Sequence, residues 1–375
     1  MTPRLNAESI KDLRHRLSAS RLFRGDGDGW EQGTPHEWLK SLLDDWRDFD
    51  DIGLQNQLDA YEHLRVDVGG VGVHLVREEG RGSDPLPLIL THGWPGSFYE
   101  FKAVIPLLTD PLAHGASSND SFTVIIPSLP GFGFSDPLPP GQSAHGQIAE
   151  SWSRIMTEVL GYDHYVAHGG DLGAGITARL ARSHPETVAG IHLATPGLAL
   201  APKPWSAREE TFADALKSWN SEEGGYAHEH ATKPLTLAAG LLDSPAGLAA
   251  WIGEKVRAWS SGDLKESATE RDFLLATLTL YWTTGTIASS LFPYWAYVHA
   301  TGDELVADEP IATPTAVTIF GGERVAFPKP PRELAERYFA VTSWNEHGVG
   351  GHFPSVSEPD LLARTIRDVF RQFRK

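Results

Sequence analysis

The residue best placed to do chemistry is Asp171, at the centre of "VAHGGDLGAGITARL". There an apolar run of β type ends in Gly169-Gly170-Asp171-Leu172-Gly173, and an amphipathic helical pattern follows. Small residues stand two before and two after the aspartate. A side chain on such a sharp strand-to-helix elbow projects into solvent at the end of a sheet, and its neighbours must be small because backbones approach closely. Two plainer uses compete. Asp171 could simply cap the helix, or the glycines could form a dinucleotide loop, although Gly170-x-x-Gly173-x-Gly175 is not the G-x-G-x-x-G spacing.

A carboxylate with a reference pKa of about 3.9 is already ionised near neutrality and attacks without a base. The ester it would form then needs an activated water and hydrogen-bond donors for the oxyanion. His352 in "GVGGHFPSV" can supply the base, and Glu323, in the turn after "TAVTIF", the carboxylate that orients it. The chain order Asp171, Glu323, His352 is the nucleophile, acid, histidine order of α/β-hydrolases. The backbone N–H groups of Leu172 and of Trp94 in "THGWPG" can form the oxyanion hole. His92 reads as structural, shaping its loop, and "PGFGFSD" as a turn.

These groups need elements to hold them. Residues 1–65 carry helical patterns, with Ile10, Leu13 and Leu17 on one side of the first and Leu39, Leu42, Leu43 and Trp46 on one side of the second. From Val66 short β-type runs end in glycine or proline and alternate with helical stretches, which predicts a mainly parallel sheet covered on both faces over 66–197. Residues 198–300 read as almost wholly helical. In "DSPAGLAAWIGEKVRAW", Ser244 can cap, Pro245 can occupy the first turn, and Leu248, Trp251, Ile252 and Val256 share a face. The α/β texture returns over 301–375. The fold predicted is an α/β-hydrolase sheet domain with a helical lid inserted in it and an N-terminal helical extension.

Composition narrows the field. With 375 residues, 41% hydrophobic and 22% charged, the chain suits a soluble globular protein. A net charge of −17 repels phosphate backbones and anionic lipids, so no nucleic-acid or membrane partner is expected. The absence of cysteine excludes disulfides, thiolate nucleophiles and cysteine metal sites. Without a signal-like N-terminus or an apolar run of spanning length, a cytoplasmic location is expected.

The stretches "HGWPGSFYEF", "GFGFSD", "GGDLG", "LYWTTGTIASS" and "GGHF" together resemble the epoxide hydrolases of the microsomal and juvenile-hormone type, over nearly the whole chain. The resemblance implies that Asp171 is the nucleophile, His352 the base that activates water, and Glu323 its orienting acid. It further implies two lid tyrosines that donate hydrogen bonds to the epoxide oxygen, matched by Tyr226 in "GGYAHEHATKP" and Tyr294 in "SSLFPYW". Tyrosine suits this task, since a phenol with a pKa near 10 stays protonated at neutral pH. Tyr297 competes with Tyr294, and Glu333 is the alternative to Glu323. Where relatives have proline before the acid this chain has Gly321-Gly322, and Leu172 stands where some have tryptophan. The membrane-bound relatives begin with a hydrophobic anchor that is not found here.

The activity expected is hydrolysis of a small apolar epoxide by water to a vicinal diol, with no cofactor and no metal; a homodimer stays open. A haloalkane or haloacid dehalogenase is the nearest alternative, since it too uses an elbow aspartate. A non-catalytic binder on the same fold is another. An esterase lacks its serine or cysteine at the elbow.

Overall fold

The computed structural model describes residues 2–25, 29–139 and 144–374. Eight strands form one sheet: β1 Glu62–Val68, β2 Val71–Glu78, β3 Leu86–Thr91, β4 Phe122–Pro127, β5 Tyr165–Gly170, β6 Val188–Ala194, β7 Ile311–Phe320 and β8 Phe339–His347. Their order is β1-β2-β4-β3-β5-β6-β7-β8. β1, β2 and β4 pair antiparallel and every later pair is parallel. The mainly parallel α/β-hydrolase sheet expected from the sequence is present. β1 starts at Glu62, four residues before the change in texture at Val66, because its partly exposed face alternates instead of running apolar. Gly69 and Gly70, both at positive φ, turn it into β2.

The central strands are buried on both faces, as a parallel sheet covered by crossover helices requires. Helix Leu172–Ser183 links β5 to β6 and packs on β3, β5, β6 and β7. Between β6 and β7 the chain forms seven helices, from Ala207–Glu222 to Phe292–His299. Helices Ala7–Ser18 and His36–Arg47 pack on two of these, Pro245–Trp259 and Ala268–Thr284. Trp46 donates to Thr279 Oγ1 at 2.9 Å, Trp282 to the Ser9 carbonyl at 3.2 Å, and the Trp38 ring fills the space beside Gly253. At the seam, Lys102 of the sheet domain is ion-paired with Asp272 of the inserted helices, and its ammonium also donates to Tyr99 and to Gln57 from the N-terminal segment. The N-terminal helices thus bind the insertion to the sheet domain. No single described helix is long and apolar enough to cross a membrane; the pair Pro234–Asp243 and Pro245–Trp259 passes by length and composition together, but is bent by 117°.

Histidines occupy the middle of the sheet. His168 on β5 and His192 on β6 face each other with their Nδ1 atoms 3.0 Å apart, and His192 Nε2 lies 2.9 Å from Thr318 Oγ1 on β7. On β2, His74 Nδ1 lies 2.8 Å from Ser128 Oγ. Burial holds these rings below the ordinary histidine value, His168 at about 4, His74 at about 3 and His192 well down. As pH falls below about 6.5 the unfolded chain therefore takes up protons that the folded chain refuses, and stability falls with pH from about 6.5 towards 4. Each such histidine contributes a slope on the order of 1.4 kcal/mol per pH unit in that window. Urea midpoints measured at pH 7 and pH 5 are expected to drop clearly; equal midpoints would contradict the account.

Candidate active site

Asp171 sits at the C-terminal end of β5 with φ 52° and ψ −128°, a conformation that costs a non-glycine residue about 1–3 kcal/mol. Its neighbours show what sustains it. A Cβ on Gly169 would lie 2.2 Å from the Gly173 carbonyl oxygen, and one on Gly173 would lie 2.1 Å from that of Thr91. No residue but glycine fits either place without displacing backbone. A Cβ on Gly93 would strike the Asp171 carboxylate at 2.3 Å, so the His92-Gly93-Trp94 loop closes directly over it.

That closure brings Trp94 N–H to 2.8 Å from Asp171 Oδ1, and the Leu172 N–H also bonds the carboxylate. His352 Nε2 lies 3.4 Å from the other oxygen, Oδ2. Burial alone would raise the Asp171 carboxyl; the contact with His352 and the two backbone N–H groups outweigh it and hold it below the usual carboxylate range. The Asp171 carboxylate is therefore kept ionised in its partly buried setting. His92 does serve its loop: its Nε2 accepts from Leu129 N–H at 3.1 Å.

The loop of His352 hangs on the inserted helices. His352 N–H donates to the Trp259 carbonyl at 2.9 Å, at the end of helix Pro245–Trp259, and the two rings lie 4.8 Å apart. Gly350 and Gly351, at φ 96° and 53°, make the turn that reaches it. The loop of Glu323 uses the same helix end: Arg324 N–H donates to the Ser260 carbonyl and Val325 N–H to that of Ala258. Gly322 packs against Gly350 and Gly351, so the two loops touch. Glu323 is almost completely buried, but its carboxylate is ion-paired with Lys329 and makes no hydrogen bond to His352. Burial lowers the Lys329 ammonium, against the raising effect of Glu323. Glu333 is elsewhere, on helix Arg332–Glu336, where it accepts from Ser206 Oγ at 3.2 Å.

Two phenols close the site from above. Helices Gly225–Thr232 and Phe292–His299 pack on each other and carry Tyr226 and Tyr294, whose rings are 6.0 Å apart. The fully buried Trp94 ring stacks on Tyr226 at 5.5 Å and meets Tyr294 edge-on at 6.1 Å. Burial first, then the Asp171 charge, raises both phenols above the ordinary tyrosine value. Both stay protonated as donors. Tyr297 is 53% exposed, and its ring lies against His145 instead. Asp171, His352, Tyr226, Tyr294 and also Tyr297 line one cavity of about 250 Å³, with Trp259 and Phe327 among its apolar lining; of the two competing tyrosines, Tyr294 is the more buried one, packed on Trp94 and Tyr226.

Sequence reasoning overlooked two residues here. Lys329, the partner of Glu323, carries no motif. Glu100 lies inside the quoted "HGWPGSFYEF" and is the one carboxylate in an otherwise apolar stretch, which was the available signal. It lines a second, smaller cavity on which Asp171 and His352 also border.

Comparison with known proteins places the chain in a family. Residues 1–101 match the family model described as epoxide hydrolase N terminus, and residues 87–242 that of the alpha/beta hydrolase fold. A protein of Stigmatella aurantiaca is 40% identical, covering 98% of this chain and 83% of its own. Epoxide hydrolase 1 of Oryctolagus cuniculus is 33% identical over 96% of this chain and 85% of its own length. The crystal structure of juvenile hormone epoxide hydrolase from Bombyx mori superposes with a TM-score of 0.85 at 30% identity, covering 100% of this chain and 94% of that one. Sequence and fold agree, and this chain belongs to the epoxide hydrolase family of α/β-hydrolase enzymes.

Proposed function

We propose that this enzyme converts a small apolar epoxide to a vicinal diol through a covalent ester on Asp171. The observation that carries the reading is the pair of environments of one carboxylate, with Oδ1 held by Trp94 N–H at 2.8 Å and Oδ2 facing His352 at 3.4 Å, beneath two protonated phenols. Tyr226 and Tyr294 bind the epoxide oxygen. Asp171 Oδ2 attacks a ring carbon, the C–O bond opens, and the developing alkoxide takes a proton from a phenol. Oδ1 becomes the ester carbonyl oxygen and is already in the hole formed by Trp94 and Leu172. His352 then removes a proton from water, the hydroxide adds to Cγ of Asp171, and collapse of the oxyanion expels the diol oxygen, which takes the proton back from His352 as it leaves, while the proton left on the Asp171 carboxyl returns the phenolate to a phenol.

Glu323 stabilises the protonated His352 from the adjoining loop, and in the resting site its charge is shared with Lys329. The phenols distinguish the reading from dehalogenation: a halide leaves as an anion and needs no proton, whereas an alkoxide does. The aromatic lining of the cavity fits an apolar substrate.

Three experiments test the proposal. In His352→Gln, ester hydrolysis should slow by about 10²–10⁴-fold, so intact-protein mass spectrometry after exposure to an epoxide should find the chain heavier by one whole epoxide, with no gain when Asp171 is also changed to Asn. A gain of chloroalkane minus HCl from a chloroalkane would instead make the enzyme a dehalogenase. Glu323→Gln should slow ester decay by about ten-fold or more while Glu333→Gln leaves it unchanged; equal effects would reject Glu323 as the acid. Tyr294→Phe should slow ester formation, by roughly 10-fold or more for loss of one such donor, and Tyr297→Phe should not.

A further inference from the structure

Behind the Asp171 carboxylate, next to the substrate cavity, lies a space that offers a water centre only about 20 Å³. That is room for roughly one water, which needs about 10–15 Å³ on this measure, and far too little for an epoxide. Its wall includes Gly93, Glu100, Asp171, His352 and Ser355. A water there meets the two groups that hydrolysis of the ester requires, the base and the carbon under attack.

Glu100 is the unexplained member of this wall. The cation two residues on, Lys102, is committed to Asp272 and Gln57 at the seam. Among the described residues no hydrogen bond or ion pair joins the Glu100 side chain to any protein group, although its own N–H donates to Ser97 at 3.1 Å. Its Oε2 lies where a Cβ on Gly96 would be, 2.2 Å away, so the glycine makes the space that the carboxyl group fills. Glu100 is partly buried, its carboxyl group facing the small cavity; a carboxyl group drawn into the fold without a protein partner is costly, and a site that keeps one has a use for it or a water beside it. The same two residues, Glu100 and Ser355, also line a still smaller space next to Tyr99, Lys102 and Thr269, towards the seam between sheet domain and inserted helices.

We infer that Glu100 positions the hydrolytic water: the water gives one hydrogen to His352 Nε2 and the other to a carboxyl oxygen of Glu100, which aims its lone pair at Cγ of the Asp171 ester. The inference rests on the covalent reading above and assigns the site of its second step. As the water adds, its proton passes to His352, the new O–Cγ bond forms, and the electron pair moves to Oδ1; Glu100 accepts a hydrogen bond and exchanges no net proton. Burial, and then the nearby Asp171 charge, raise the Glu100 carboxyl well above the usual range, which agrees with a neutral group whose carbonyl oxygen is the acceptor. The water so held stands on the Glu100 side of the carboxylate and the epoxide on the side of the phenols. The water need not be displaced when substrate binds.

The test is single-turnover mass spectrometry with styrene oxide, following formation and decay of the ester in wild type, Glu100→Leu and Glu100→Gln, with thermal melting as the check on folding. Leucine removes the acceptor; ester formation should stay within about 3-fold of wild type while ester decay slows by about 10²-fold, the loss expected when a reacting group is left unoriented. Glutamine keeps a carbonyl oxygen, and decay should recover to within about 10-fold of wild type. In the steady state kcat and KM of the leucine variant should fall together, because ester accumulates. Wild-type ester decay in Glu100→Leu, or equal loss in both steps, would overturn the assignment. Should leucine prevent folding, Glu100→Met, which also lacks an acceptor, carries the same expectation. If His352→Gln yields no ester under these conditions, the covalent reading itself fails; if that ester forms and only the Glu100 variants behave otherwise, the water site alone is wrong.

Discussion

Everything at the site depends on the absence of side chains where three backbones meet. The strained Asp171 can persist only because Gly169 and Gly173 let β5, the following helix and the end of β3 touch, and because Gly93 lets the Trp94 loop lie on the carboxylate. Strain of this kind survives when the surroundings over-determine it, and here helix Leu172–Ser183 is anchored on four strands. The sheet and its covering helix therefore act as a frame whose rigidity is used at one residue. The same frame aims the N–H groups of Trp94 and Leu172 at that residue, so the carboxylate and the donors that hold it are set by one constraint.

A second dependence runs through the end of helix Pro245–Trp259. The consecutive carbonyls of Ala258, Trp259 and Ser260 accept from Val325, His352 and Arg324, so the loops of Glu323 and His352 are both hung from the inserted helices. Those helices are in turn held by the N-terminal segment through Trp38, Trp46 and Trp282. A remote extension is thereby part of the support of the His352 loop.

Much of this was legible in the residues. The strand and helix alternation, the glycine-flanked Asp171 and the glycine turn before His352 are local signals, because each follows from what a few consecutive residues can do sterically. The choice between Tyr294 and Tyr297 was not local: three residues apart, they differ only in which neighbours their helix meets, and the structure turns Tyr294 to Trp94 and Tyr297 to His145. Glu323 and Glu333 likewise differ in tertiary surroundings. The Glu323 pairing with Lys329 depends on the path of a loop with no periodicity, and Glu100 was hidden because a buried carboxyl reads as an interruption in an apolar run until its cavity is seen.

The Trp94 residue belongs to both halves of the site. Its N–H bonds the Asp171 carboxylate, while its ring, closed off from solvent, is packed against Tyr226, Tyr294 and His230 of the inserted helices and against Trp259. Lid and sheet domain are consequently not interchangeable modules. A set of helices grafted from a relative to change which molecules are accepted would press on an indole whose own backbone N–H holds the Asp171 carboxylate, and selectivity and rate would have to be re-optimised together.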